Sequence, residues 1–240
     1  MIKFSKVALA TVGALALAAC NDDSDSDSAT SIIETPVEYE VVLKNLTNGQ
    51  PISPPSLLLH DTGALFTVGE PASEALELLA ESGDASEILS DTAFILSSAS
   101  ASGGITYGTS TTITVSYTDK VKYLSFVSML GNSNDAFTGL NQVDLTDLAL
   151  NDSATYQTVA YDAGTEANTE TVDTVPGPAS NAASPDGIAG EAFNAERDDI
   201  DIVTMHPGIV SSDDGLTTSA LTYQQKFDNP VMSVTITRTR

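Results

Sequence analysis

The sequence predicts an all-β chain, a β-sandwich with a short helical insertion. Three observations lead there. Short segments rich in Val, Ile, Thr, Tyr and Leu recur along the chain, parted by Gly, Asn, Asp and Pro, and this is the punctuation of many short strands. Only one stretch, residues 71–82, carries a sustained helical apolar period. Finally, 240 residues with 41% hydrophobic content are enough for one sizeable core, and the length favours a single domain.

Taken in order, residues 1–6 hold Lys3 and Lys6, and residues 7–19 form an uncharged run ending in Leu17-Ala18-Ala19-Cys20. This is the layout of a secretory leader with a lipobox. The run is shorter than the roughly 18 residues that a permanent membrane helix needs. Residues 1–19 are therefore expected to be a lipoprotein signal peptide, and Cys20, the sole cysteine, the acylated mature N-terminus. Because acyl chains contribute ~0.8 kcal/mol per buried methylene, a multiply acylated Cys20 would hold the protein to a membrane.

Residues 20–35 are expected to be an acidic tether, since Asn21-Asp22-Asp23-Ser24-Asp25-Ser26-Asp27-Ser28 has nothing apolar to bury. Asp23, Asp25, Asp27 and Glu34 match the spacing of an EF-hand loop. However, Ser28 stands where that loop needs glycine, and no helical pattern flanks it.

The sandwich domain is expected over residues 36–240. Val37, Tyr39, Val41 and Leu43 alternate with Glu38, Glu40, Val42 and Lys44, the period of a half-buried strand. Further strands are predicted at 56–59, 64–68, 93–96, 111–117, 122–130, 156–160, 200–204, 220–227 and 231–237. Over residues 71–82, Ala72, Ala75, Leu76, Leu79 and Ala80 share one helical face, Glu74, Glu77 and Glu81 lie off it, and Gly83 ends it. Asp84-Ala85-Ser86-Glu87 reads as a capping box for a short second turn, and the insertion is expected to cover one end of a sheet. Residues 151–190, rich in Ala, Ser, Asp, Gly and Pro, read as a long loop region, which in a compact domain is functional or mobile.

That region contains Tyr161-Asp162-Ala163-Gly164-Thr165-Glu166. Glycine permits the positive φ of a tight turn, and a chain folding back at Gly164 would point Asp162 and Glu166 at one place. Converging carboxylates favour a cation between them. Asn132-Ser133-Asn134-Asp135 supplies a second loop of the same chemistry, so Asp135 is a third candidate. An all-oxygen set suits Ca²⁺, which takes six to eight oxygens. From the residues alone, ordinary polar turns on an acidic surface are the favoured reading.

The pieces Ser125-Phe126-Val127-Ser128-Met129, Asn134-Asp135-Ala136-Phe137-Thr138-Gly139-Leu140, Tyr161-Asp162-Ala163-Gly164-Thr165-Glu166 and Pro176-Gly177-Pro178 occur in this order. Together they resemble the spondin domain of F-spondin, mindin and many bacterial envelope proteins. The similarity runs over about residues 37–207, with Asp-Ala-Gly-Thr its most specific piece. The resemblance implies an antiparallel β-sandwich holding one Ca²⁺ through Asp135, Asp162 and Glu166. Glu166 stands where the family usually has Asp, and Ala136 where it often has an aromatic residue.

With 9 basic against 33 acidic residues the formal charge is −24. Such a field repels phosphate, so nucleic acid is not an expected partner. His60 and His206, the only histidines, have no zinc-site spacing and read as turn residues bonded to nearby backbone. No nucleophile elbow and no phosphate-binding glycine loop occurs. Acid pairs such as Asp198-Asp199 carry little weight among so many acids, and Asp198 is expected to lie outside the metal motif. The function expected is therefore adhesion or recognition of an unknown protein or glycan ligand, not catalysis. It would be exercised from the cell envelope, on a lipid anchor in the outer membrane. A hydrolase using the same acidic loops, or a purely structural calcium sandwich, are the rival readings.

Overall fold

The computed structural model describes residues 35–91, 93–184 and 193–240. The predicted leader, Cys20 and nearly all of the acidic tether lie outside the described residues. Among the described residues, ten strands form two antiparallel sheets. The first sheet, in the order β4-β1-β10-β7, uses β1 (Val37–Asn45), β4 (Ser110–Tyr117), β7 (Ser153–Thr158) and β10 (Met232–Arg238). The second, in the order β3-β2-β5-β6-β8-β9, uses β2 (Ser56–His60), β3 (Ile95–Ser100), β5 (Tyr123–Met129), β6 (Ala136–Asp144), β8 (Ala160–Asp162) and β9 (Thr204–Met205). The all-β sandwich expected from the sequence is therefore the observed class.

Alternation places the core. On β1, Val37, Tyr39, Val41 and Leu43 point inward and meet Ile113, Val115, Val234 and Ile236 of the neighbouring strands. Leu57 and Leu59 of β2, with Leu124 and Phe126 of β5, close the sandwich from the opposite sheet. All five residues of β2 are buried, because the second sheet is covered on both faces. Its outer face, with Leu58, Val127 and Phe137, packs against the helical insertion α1 (Glu74–Ser82) and α2 (Ser86–Ser90) through Leu76, Leu79, Ala80 and Ile88. The insertion is thus a third layer on a sheet face, where the sequence suggested a cover for a sheet end.

α1 begins later than predicted. Ser73 caps it, accepting the Leu76 N–H at 3.2 Å, and Gly83 ends it in the left-handed conformation at φ 76°. At α2 the capping box does not form; Asp84 instead accepts the Ser86 N–H in a local turn.

Residues 64–68 and 220–227 are not strands. The first packs Phe66 on Phe137 and Tyr161, and the second holds a short 3₁₀ turn at Tyr223–Gln225. Of residues 200–204 only the last enters a strand, and β6 was not foreseen. The region read as a loop at 151–190 contains β7, β8 and a short helix, α3 (Pro178–Ala183). Among the described residues no helix is long and apolar enough to cross a membrane.

Candidate metal centre

Strand pairing assembles the centre. β6 starts immediately after Asp135, and β8 ends on Asp162, with Ala136 opposite Asp162 in the antiparallel register. Two acids distant in sequence are thereby neighbours. β9 then pairs with β8, Asp162 facing Thr204, and the next turn delivers His206, whose backbone N–H donates to Ala160 O at 3.1 Å. Asp135, Asp162 and His206 each offer one ligand atom, all within 4.8 Å of one another, and all three residues are buried.

The chain folds back at Gly164 as the sequence implied, with φ 73°. A side chain is excluded there twice, by the positive φ and by Ile202 O, which would lie 2.3 Å from an added Cβ. The Gly164 N–H donates to Asp162 Oδ1 at 2.8 Å. The turn then aims the N–H groups of Thr165 and Glu166 at Asp135 Oδ2, at 2.9 and 3.2 Å. Asp162 Oδ2 accepts from Asn168 Nδ2 at 2.9 Å. Glu166 is buried beside this trio and bonds it through its backbone, without belonging to the set within 4.8 Å.

A fourth acid lies in the neighbourhood, also outside the set within 4.8 Å. Glu170 is 0% exposed, with its backbone in the left-handed region at φ 58°. Its N–H donates to Asn134 Oδ1 at 3.1 Å, and its Oε1 accepts the Val210 N–H at 3.2 Å.

The electrostatics follow from this crowding. Burial first, and then the Asp162 charge, push the Asp135 carboxyl up to about 7. Burial and the Glu81 charge push Glu166 up to about 8. Glu170 rises to about 7, chiefly through burial. Burial drives His206 down to about 4, against the opposing pull of Asp162. Carboxyls raised in this way either hold protons or hold a cation.

Unsatisfied atoms favour the cation. Among the described residues, five buried side-chain polar atoms have no hydrogen-bond partner: Asn134 Nδ2, Asp135 Oδ1, Asn168 Oδ1, Glu170 Oε2 and His206 Nε2. All five belong to this one centre, whereas buried polar groups are ordinarily paired. Three of them are oxygens, which a hard cation would satisfy. His206 is a different kind of group. Its Nδ1 accepts the Gly208 N–H at 3.0 Å, which assigns the proton of the neutral ring to Nε2. The face turned to the acids is then a donor for a carboxylate or an ion-bound water, and the direct ligands that remain are oxygens. The donor set therefore fits Ca²⁺ better than zinc.

The insertion and residues 194–203 brace the loop. Glu81 on α1 accepts the Thr165 hydroxyl at 2.8 Å and the Asn194 N–H at 2.9 Å. Arg197 joins Glu77, Asp201 and the Ala72 carbonyl. Asp198, expected outside the motif, accepts the Ala167 N–H at 2.7 Å, and its own N–H donates to Thr165 O. Segment 194–203 wraps the backbone of the loop bearing Asp162 and Glu166, so Asp198 belongs to the support of that loop.

Sequence reasoning did not single out Asn168 or Glu170, and it read His206 as a turn residue. The backbone bond expected for His206 is present, but β9 also carries the ring to the acids. His60 is as expected, with Nδ1 2.7 Å from Thr62 O and Nε2 2.8 Å from Ser125 Oγ.

A family model described as Spondin_N matches residues 59–184. The matched span runs from the end of β2 to the end of α3 and includes Asp135, Asp162, Glu166 and Glu170, while His206 lies beyond it. No curated protein matches the chain.

Proposed function

The chain belongs to the Spondin_N family, and from that premise we propose that it is a calcium-binding recognition or adhesion domain, tethered at the cell envelope by a lipid on Cys20. The observation that carries the calcium assignment is the set of unpartnered buried oxygens on Asp135, Asn168 and Glu170, gathered around Asp162. Calcium would be held by the carboxylates of Asp135 and Asp162, with Glu166, Glu170 and the Asn168 amide oxygen adjoining. It would supply positive charge and loop order.

Burial supports a structural ion over a catalytic one. Asp135 and Glu170 are 0% exposed and Asp162 is 3% exposed, so the ion would be closed off from any substrate. Its work would be to fix the loops that recognition uses, consistent with a chain that carries no nucleophile motif.

Calorimetric titration of the purified chain with CaCl₂, MgCl₂ and MnCl₂ tests the assignment. Calcium should bind with a stoichiometry near one and well ahead of magnesium, which gives up its waters reluctantly and wants a stricter octahedron. Absence of calcium binding, or equal binding by Asp162→Asn, would overturn it.

A further inference from the structure

With the ion centre buried, recognition needs another surface, and the loop bearing Asp135 leads to one. Asn132, at the other end of the same loop, lines a cleft of about 560 Å³ together with Asn48, Gly49, Tyr107, Tyr223 and Gln224, among others. In a chain with 33 acidic residues, none of the residues lining this cleft is charged. Tyr107 and Tyr223 are 52% and 65% exposed, unusual for aromatic side chains in a protein with so few of them.

The walls are preformed. Gln50 ties three loops together: its Nε2 donates to Asn132 O and to Gln225 O, each at 2.7 Å, and its Oε1 accepts the Asn132 N–H at 2.9 Å. Asn132 Nδ2 adds a bond to Gly49 O at 2.7 Å. Gly49 lies so close to the 3₁₀ turn that an added Cβ would stand 2.0 Å from Gln224 O. The turn is fixed by the Thr222–Gln225 capping box and by Asp213, which accepts the Tyr223 N–H at 2.9 Å. Tyr223 therefore projects from a braced turn, and Tyr107 from one closed by the Thr109 N–H to Thr106 O at 3.1 Å and the Gly108 N–H to Asn45 O at 3.2 Å; fixing a binding surface in advance lowers the entropy that binding must offset.

We propose that this cleft binds a neutral oligosaccharide. Tyr107 and Tyr223 would stack on the C–H faces of successive sugar rings. The amides of Asn48 and Gln224, both exposed, would meet sugar hydroxyls as donors and acceptors. The chemistry disfavours other ligands. The protein's negative field repels polyanionic glycans. A peptide would look for an apolar side-chain pocket or a free strand edge, and the walls here are loops, turns and the first turn of α3, whose aliphatic lining is two prolines and an alanine. The proposal rests on the recognition reading above and adds the ligand class and the place.

The test is a glycan array carrying neutral hexose and N-acetylhexosamine oligosaccharides beside sialylated and sulfated ones, probed with the whole chain in millimolar calcium. The strongest neutral binder is then titrated by calorimetry against variants. Neutral oligosaccharides should bind. Tyr107→Ala and Tyr223→Ala should each weaken binding at least tenfold, and Gln224→Ala severalfold, all with unchanged melting temperatures because these side chains are exposed. Binding restricted to anionic glycans, no glycan binding, or neutral binding indifferent to both tyrosines would overturn the proposal. A protein partner lost in the tyrosine variants, with no glycan bound, would overturn the ligand class and leave recognition standing. Glycan binding through the tyrosines in a chain that ignores calcium would support the cleft and sink the ion centre alone.

Discussion

Glu81 accepts the hydroxyl of Thr165 at 2.8 Å, so a helix outside the sandwich grips the loop between Asp162 and Glu166. The same threonine donates its N–H to Asp135 Oδ2 and is the hinge pin between insertion and centre. Thr165→Val keeps the shape and leaves Glu81 Oε1 buried without its donor. The expected cost is about 1–3 kcal/mol of stability, measured by urea unfolding, with Thr165→Ser close to wild type. A valine variant as stable as wild type would show that the grip contributes nothing.

Calcium should raise the melting temperature. A ligand that binds only the native state adds RT ln(1 + [L]/Kd), about 2.7 kcal/mol at a hundredfold excess over Kd. Asp162→Asn should abolish most of the shift in millimolar calcium. Glu40→Gln, exposed on the other sheet, should retain it. Equal behaviour of the two variants would remove Asp162 from the centre.

Glu170→Gln should act in opposite directions with and without the ion. Neutralising a buried acid with one unpartnered oxygen relieves the metal-free protein and raises its melting temperature, while the loss of charge weakens calcium binding, read by titration. A change in the same direction in both assays would mean that Glu170 serves packing alone.

The pH response of the calcium-free protein has a definite sign. Asp135, Glu166 and Glu170 ionise in the folded chain near 7, 8 and 7, against ordinary values of 3.8 for Asp and 4.5 for Glu. Between these limits the folded state binds more protons than the unfolded state, so stability falls as pH rises. His206, lowered to about 4 from 6.5, works the other way, but only below 6.5. Melting without calcium should therefore drop from pH 6.5 to pH 8, where the carboxyls act alone, and the calcium-induced shift should grow over the same range. A flat profile in thermal scans with chelator would contradict the crowding of buried acids.

Cys20→Ser should release the protein from membranes in fractionation of cells expressing the full chain, or leave it unprocessed. Undiminished membrane retention would rule out the lipid anchor.

How much of this was legible in the sequence differs from one element to the next. β1 could be read because one of its faces is dry and the other wet, so alternation survives. β6 could not be read, because Ala136, Phe137, Thr138 and Gly139 are all buried; a strand covered on both sides has no period. Its backbone is also interrupted by Gln142 at φ 55°. Asp135 and Asp162 stood out through their loops and the Asp-Ala-Gly-Thr turn. Glu170 did not, since Asn168-Thr169-Glu170-Thr171 is indistinguishable from solvated loop until Asn134 folds over it. His206 joins through the pairing of two very short strands, a contact that no local spacing encodes.

In the four-stranded sheet the first and last strands lie side by side, Tyr39 opposite Arg238 and Asn45 opposite Met232, with β10 also pairing with β7. Closing nearly the whole chain into one loop is entropically slow. Until Met232–Arg238 has been synthesised, β1 and β7 each lack the neighbour that separates them, and a chain cut short before Met232 would have a hole in the centre of that sheet. The four-stranded sheet therefore has no continuous ladder from β1 to β7 until Met232–Arg238 is in place between them.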